Sequence, residues 1–400
     1  MADTGTHSTT FVIVGGGLAG AEAAATLRSE GFDGSLVVIA AEPEHPYERP
    51  PLSKAYLSGE ADFAAALVHE PSWYEDVDLR LRTEAVGLDV TAHQVTLADG
   101  ATLGYDKLLL ATGAAPTRPP VVGADRALTL RTKADADSLR GRLAAGSSVV
   151  VVGGGWIGLE VAAAARARGA EVAVVEAGPA PLAGVLGEQV GQVFAELHRH
   201  HGVRVLTSAT VERIDDDGVV VDGEMLPADV VVAGTGVDPV VDLAVGAGLE
   251  VDDGVVVDSS LRSSDPDVFA AGDVASSFYP RYGRHVRVEH WANAKHQGPA
   301  AARAMLGQEV AYDRLPYFFT DQYDLGMEYT GWVPPQVLGD AAVVLRGDVD
   351  GRQFRAFWLL PADGGQVLAA AMHVNMWDEG IEPLKARVEA GGVVEADSLR

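Results

Sequence analysis

The chain has no cysteine among its 400 residues. That absence excludes disulfides, iron–sulfur ligation by this chain and every mechanism that needs a thiol of its own. Basic residues are also scarce, with 30 Lys and Arg against 57 Asp and Glu, for a formal charge of −27. A field of that sign repels polyanions, so nucleic acid and anionic membrane are not expected as partners. No apolar run reaches the roughly 18 residues that a membrane span needs. Residues 1 to 9 are polar and lack a basic start, so no signal peptide is expected, and the expected compartment is the cytoplasm.

What is present is apolar residue and glycine. The composition is 48% hydrophobic with 46 glycines, which is enough for two or three domains with cores of their own. Without thiols, any redox chemistry has to come from bound cofactors.

The glycines concentrate in two stretches with one grammar. Thr10-Phe-Val-Ile-Val-Gly15-Gly-Gly17-Leu-Ala-Gly20 reads as strand, tight turn and helix. Gly15 allows the turn, Gly17 admits a pyrophosphate to the backbone at the positive helix end, and Gly20 lets helix and strand pack closely. About 20 residues on, after a predicted strand from Leu36 to Ala40, stands Glu42, where a ribose-binding carboxylate belongs. Ser147 to Glu160 repeats the pattern with Gly153, Gly155 and Gly158, followed by a predicted strand from Glu171 to Val175 and then Glu176. Two complete fingerprints imply two dinucleotide sites in one chain, an arrangement used to pass electrons between them. Glu176 suits a free adenosine ribose and repels a 2′-phosphate, and Ala177 and Gly178 supply no arginine to offset it, so NADH is expected over NADPH.

Pro46 to Lys54 is too rich in proline for regular structure and reads as a loop over a cofactor. Residues 77 to 110 suggest a small antiparallel insertion ending in a strand from Lys107 to Ala111. Pro116, Pro119 and Pro120 mark a crossover into the second nucleotide unit, which contains a predicted helix from Val190 to His201 and a turn at Asp215 to Gly218. His198 and His201 share a helix face, but without a cysteine or a matched carboxylate pair they read as the polar end of a helix, and no metal is expected. Residues 312 to 400 read as four strands and a helical end, with Trp332, Trp358 and Trp377 as core or interface aromatics.

Leu108-Leu-Leu-Ala-Thr112-Gly113 and Val268-Phe-Ala-Ala-Gly272-Asp273, taken with the first fingerprint, resemble the two-dinucleotide flavoproteins of glutathione-reductase-like fold. The resemblance implies an α/β fold with two Rossmann-like dinucleotide-binding domains and a C-terminal α+β domain. The FAD-binding domain would be split over residues 1–113 and 239–311, with the NAD-binding domain inserted at 114–238 and the C-terminal interface domain at 312–400. Asp273 would then bond the ribitol chain of FAD, and Glu42 its adenosine ribose.

A closer resemblance, covering nearly the whole chain, is to the putidaredoxin-reductase-like NADH:ferredoxin reductases of bacterial oxygenase systems. It is carried by Pro46 to Lys54, Gly153 to Glu160, Phe269 to Asp273, Val288-Glu289-His290-Trp291-Ala-Asn293 and Pro316 to Tyr323. It implies that electrons pass from NADH through FAD, one at a time, to a two-iron two-sulfur ferredoxin that serves a monooxygenase or dioxygenase. Lys54 and Glu160 would form a charge pair near the flavin ring, and Trp291 would belong to the flavin site. The competing reading of Glu160 is a helix-start carboxylate favoured by the macrodipole. Further cofactor contacts are implied at Arg49, Thr112, Gly113, Ile157, Gly236, Gly272, Glu289, His290 and Phe319.

Many relatives carry tryptophan where this chain has Tyr317 and Phe319, and Val240 replaces their usual asparagine. For the ferredoxin, Arg281, Arg284, Arg287, Lys295 and Arg303 lie in a stretch whose only acid is Glu289, which suggests a local basic docking patch. Two alternatives stay open: a rubredoxin reductase, and a flavoprotein like apoptosis-inducing factor that senses NADH.

Overall fold

The β-branched runs that open each fingerprint are apolar on both faces, so they have to be covered on both sides, as the strands of parallel sheets are. The computed structural model describes residues 9–399, and the expectation of no leader segment concerns residues that lie mostly outside that range. Two compact units are present. One comprises the chain up to Glu48 with Phe63–Ala115 and Asp238–Arg314; the other comprises Arg49–Asp62, Pro116–Val237 and Leu315–Arg400.

The first unit is built on a parallel sheet in the order Val268–Ala270, Lys107–Leu110, Thr10–Val14, Ser35–Ile39, Asp78–Arg80. The fingerprint strand is therefore central, and the late segment of the chain closes one side of its sheet. Helix Leu18–Ser29 follows the first strand and packs on helix Trp291–Met305. Their approach is set by Gly298, where a Cβ would lie 2.3 Å from the Ala19 carbonyl oxygen. The antiparallel insertion is present as Ala85–Asp89, Gln94–Leu97 and Thr102–Gly104. Asp78–Arg80 is not part of it, because that strand extends the parallel sheet beside Ser35–Ile39.

The second unit carries a parallel sheet in the order Arg204–Leu206, Glu171–Val175, Ser148–Val152, Val230–Ala233. It also carries an antiparallel sheet of Tyr317–Gln322, Leu325–Gly331, Gly365–Val374, Gln353–Ala362 and Ala342–Asp348. The proline-rich stretch is more regular than expected: Pro50–Ser53 is a 3-10 turn with proline at its start, and Ala55–Ser58 continues as a helical turn. Proline is tolerated there because the first turn has no use for its missing N–H. Trp358 is fully buried and donates to the Leu186 carbonyl, whereas Trp377 is exposed, with its ring against Gly326. Of the two roles expected for Trp377, core or interface, its exposure excludes the core. Among the described residues no helix is long and apolar enough to cross a membrane.

Gly298→Ala is expected to cost about 1–3 kcal/mol of stability, the usual range for overpacking. Urea unfolding checks this, and an unchanged midpoint would show that the helix pair can part without loss.

Candidate active site

In the first unit the three fingerprint glycines differ in what surrounds them. A Cβ at Gly15 would stand 2.0 Å from the Ala111 carbonyl oxygen and one at Gly20 would stand 2.1 Å from that of Gly15, whereas a Cβ at Gly17 would meet nothing within 4 Å. The first and third glycines are thus needed by the fold. The second leaves open space before the helix Leu18–Ser29, whose first N–H groups have no intrahelical partner. This is the shape a pyrophosphate needs, and FAD fits it. Glu42 accepts a hydrogen bond from the Tyr47 hydroxyl at 2.5 Å. The Thr112 hydroxyl donates to the Val240 carbonyl at 2.7 Å, and Val240 N–H donates to the Gly113 carbonyl. Gly272 N–H donates to Gln297 Oε1, which fixes the turn carrying Asp273. His290 caps helix Trp291–Met305 by accepting from Ala292 N–H, and the Lys295 ammonium lies 4.5 Å over the Trp291 ring.

The basic stretch of this unit is less basic than its sequence suggests. Arg281 pairs with Asp313 at 3.3 Å, Arg303 with Glu30 at 2.9 Å, and Arg287 with both Asp253 and Glu289. Three of the four acids come from outside the stretch, so reading the stretch alone could not count them.

The second unit repeats the glycine geometry. A Cβ at Gly153 would lie 2.4 Å from the Gly234 carbonyl oxygen and one at Gly158 2.3 Å from that of Gly153, while at Gly155 the nearest atom is 3.5 Å away. Glu176 is anchored by both oxygens, which accept N–H from Gly154 at 2.7 Å and from Gly178 at 2.6 Å. A fixed carboxylate beside an open helix start fits NAD(H). Ile157 is exposed in the first turn of the helix Trp156–Ala167. Gly236, in a left-handed conformation, accepts from Thr117 N–H.

The same unit brings Lys54 and Glu160 together. Lys54 Nζ lies 2.8 Å from Glu160 Oε1 and 5.6 Å over the Phe319 ring. Glu160 is the fifth residue of helix Trp156–Ala167 and only 4% exposed, so it is not a first-turn carboxylate held by the macrodipole. Two hydroxyls complete its shell: Ser53 donates to Oε2 at 2.5 Å and Thr320 to Oε1 at 2.6 Å. Burying a carboxylate costs several kcal/mol unless it is paired and hydrogen-bonded, and here both conditions are met. Arg49 donates to the Arg131 carbonyl.

Sequence reasoning missed Ser53, Thr320, Gln322 and His198. Ser53 adjoins Lys54, and Thr320 and Gln322 lie two apart on the buried face of Tyr317–Gln322, a strand the sequence reading did not assign. His198 is fully buried and bonded to Gln322 rather than a polar helix end, and burial pushes its pKa down to about 4. Among the described residues no cluster of His, Asp or Glu is arranged to hold a metal ion.

Two nucleotide-shaped helix starts and one buried ion pair define an oxidoreductase of two dinucleotides. The chain belongs to the pyridine nucleotide-disulphide oxidoreductase family, whose pattern matches residues 9–298. FAD and NAD(H) are the cofactors expected of it, and the missing cysteines mean that no thiol of this chain takes part. It is 41% identical over 399 residues to the ferredoxin–NAD(+) reductase component of the anthranilate 1,2-dioxygenase system of Burkholderia cepacia, covering 97% of this chain and 96% of that protein. It is 36% identical over 373 residues to putidaredoxin reductase of Pseudomonas putida, covering 90% and 87%. A chain of the covalent putidaredoxin reductase–putidaredoxin complex superposes with a TM-score of 0.91 at 33% identity, covering 98% of this chain and 95% of that one.

Gly17→Ala and Gly20→Ala are expected to separate cofactor from fold. The apoprotein of the first should unfold within about 1 kcal/mol of wild type while FAD retention falls, because its methyl group enters space that the fold does not use. Gly20→Ala should lose stability itself, and equal stability losses in the two variants would contradict the assignment.

Proposed function

We propose that the protein is an NADH-dependent ferredoxin reductase of an oxygenase system, delivering electrons singly to a two-iron two-sulfur ferredoxin. The observation that carries this reading is the buried Lys54–Glu160 pair in a cysteine-free chain with two dinucleotide fingerprints. Such a chain has no redox group of its own and serves bound cofactors by orientation and charge. Bound FAD supplies the exchange between a two-electron donor and a one-electron acceptor.

In this reading Gly15, Gly17, Gly20, Glu42, Thr112, Gly113, Gly272 and Asp273 hold FAD, with Arg49, Glu289, His290, Trp291 and Phe319 contributing contacts. Gly153, Gly155, Ile157, Gly158, Glu176 and Gly236 hold NADH. Lys54 and Glu160 set the local charge against which electrons enter the flavin. The similarity to the ferredoxin–NAD(+) reductase component of the anthranilate 1,2-dioxygenase system supports ferredoxin as the acceptor. Docking near Arg281, Arg284, Arg287 and Lys295 completes the proposal. The acids opposite Arg281 and Arg287 reduce what those two residues add to the electrostatic attraction.

Lys54→Met is expected to slow flavin reduction by NADH at least about tenfold, since it leaves the Glu160 charge buried without its ammonium. An unchanged rate would remove the pair from the account. The anchored Glu176 carboxylate should favour NADH over NADPH by about a hundredfold in kcat/KM, the scale on which facing like charges discriminate. Equal values for the two coenzymes would refute that role. Arg284→Glu should raise the KM for a two-iron ferredoxin and leave the reduction of small dyes intact; unaltered ferredoxin kinetics would move the docking site elsewhere.

A further inference from the structure

Glu160 is the end of a longer series of hydrogen bonds within the second unit. Thr320 Oγ1 lies 2.6 Å from Glu160 Oε1, Gln322 Nε2 lies 3.2 Å from Thr320 Oγ1, and His198 Nε2 lies 2.8 Å from Gln322 Oε1. The Tyr323 hydroxyl lies 3.5 Å from His198 Nδ1, and the Tyr323 ring stacks on His201 at 3.8 Å. Glu160, Thr320, Gln322 and His198 are all buried, at 4%, 1%, 1% and 0% exposure. Water is therefore not available to rescue a misdirected donor, and each bond has to be made by the protein.

The direction of every bond follows from the chemistry at one end. A carboxylate oxygen only accepts, so the single Thr320 hydroxyl proton goes to Glu160. Thr320 Oγ1 then has only acceptor capacity left for Gln322, which requires the amide NH2 to face it and the amide oxygen to face His198. That oxygen accepts, so His198 must carry its proton on Nε2 and present Nδ1 as an acceptor. We propose that Thr320, Gln322 and His198 form a directional hydrogen-bond chain that positions the Glu160 carboxylate, with Thr320 and Gln322 as positioning residues for the reaction at the Lys54–Glu160 pair.

Nothing in the chain transfers a proton or an electron; its function is alignment. Donors aimed in one direction polarise one another, and each bond fixes the rotamer of the next side chain. Ser53 and Lys54 reach Glu160 from a short turn, whereas the chain anchors it to the strand Tyr317–Gln322 and the helix Glu188–His200. Thr320 and the Lys54 ammonium meet the same oxygen, Oε1, so regular structure holds the carboxylate at the atom its ammonium partner engages. The proposal rests on the role given to Glu160 above, but its first test does not depend on that role.

The first test is the imidazole tautomer of His198, read by nitrogen-15 NMR on the full-length FAD-containing protein at neutral pH without NADH, with the signal assigned by its loss in His198→Gln. The expected result is a single neutral tautomer protonated on Nε2; a proton on Nδ1 would overturn the proposal. Thr320→Val removes the hydroxyl at nearly constant shape. It should mix the two His198 tautomers and slow flavin reduction by NADH by about tenfold, the worth of one hydrogen bond to a charged group. Thr320→Ser, which restores the hydroxyl, should recover both. An unmixed tautomer and a wild-type rate in Thr320→Val would also overturn the proposal. If the tautomer behaves as expected while Lys54→Met reduces flavin at the wild-type rate, the chain stands and the function of the pair fails.

Discussion

The second unit depends on one buried carboxylate. Glu160 lies in a helix, yet its partners come from residues 53–54 and from residue 320, so three segments remote in sequence converge on two oxygen atoms. A buried carboxylate without partners would cost several kcal/mol, which obliges those segments to stay together. The proline-rich turn, the fingerprint helix and the first strand of the C-terminal sheet are thereby held in one unit. Residues 49–62 belong to the same unit as Glu160 and Thr320.

The glycines impose a second constraint, one that acts on backbone rather than on charge. In both fingerprints the first and third glycines are pressed against carbonyl oxygens, while a Cβ at the second would meet nothing closer than 3.5 Å. Fold and cofactor therefore make separate demands on neighbouring residues. The carboxylates that follow are also held differently: Glu42 is bonded by a tyrosine hydroxyl, and Glu176 by two backbone N–H groups. The backbone-anchored carboxylate is the one assigned to coenzyme choice, where a fixed charge discriminates better than a mobile one.

The sequence was most informative where local chemistry decides the structure. Both fingerprints, their parallel strands and the antiparallel insertion follow from β-branched runs and glycine spacing, and these features lie where expected except that Asp78–Arg80 joins the parallel sheet instead of the insertion. It was least informative where partners come from afar. The acids opposite Arg281, Arg287 and Arg303 are distant in the chain, so the apparent basic patch could not be discounted from its own stretch. Tyr317–Gln322 begins with three aromatics that hide its alternation, and with that strand unassigned, Thr320 and Gln322 had no face to be placed on. His198 reads as polar by residue type, and only the strand bonded to it makes it a buried residue.

The central claim is that this chain moves electrons from NADH through its flavin to a ferredoxin. It is tested most directly by stopped-flow mixing of the purified protein with NADH in the absence of oxygen, followed by two-iron ferredoxins at low and moderate salt. The account predicts fast bleaching of the flavin and then reduction of at least one ferredoxin, with a rate that falls as salt rises. Slow bleaching that leaves a long-lived complex with NADH, or fast bleaching with no ferredoxin reduced, would contradict it.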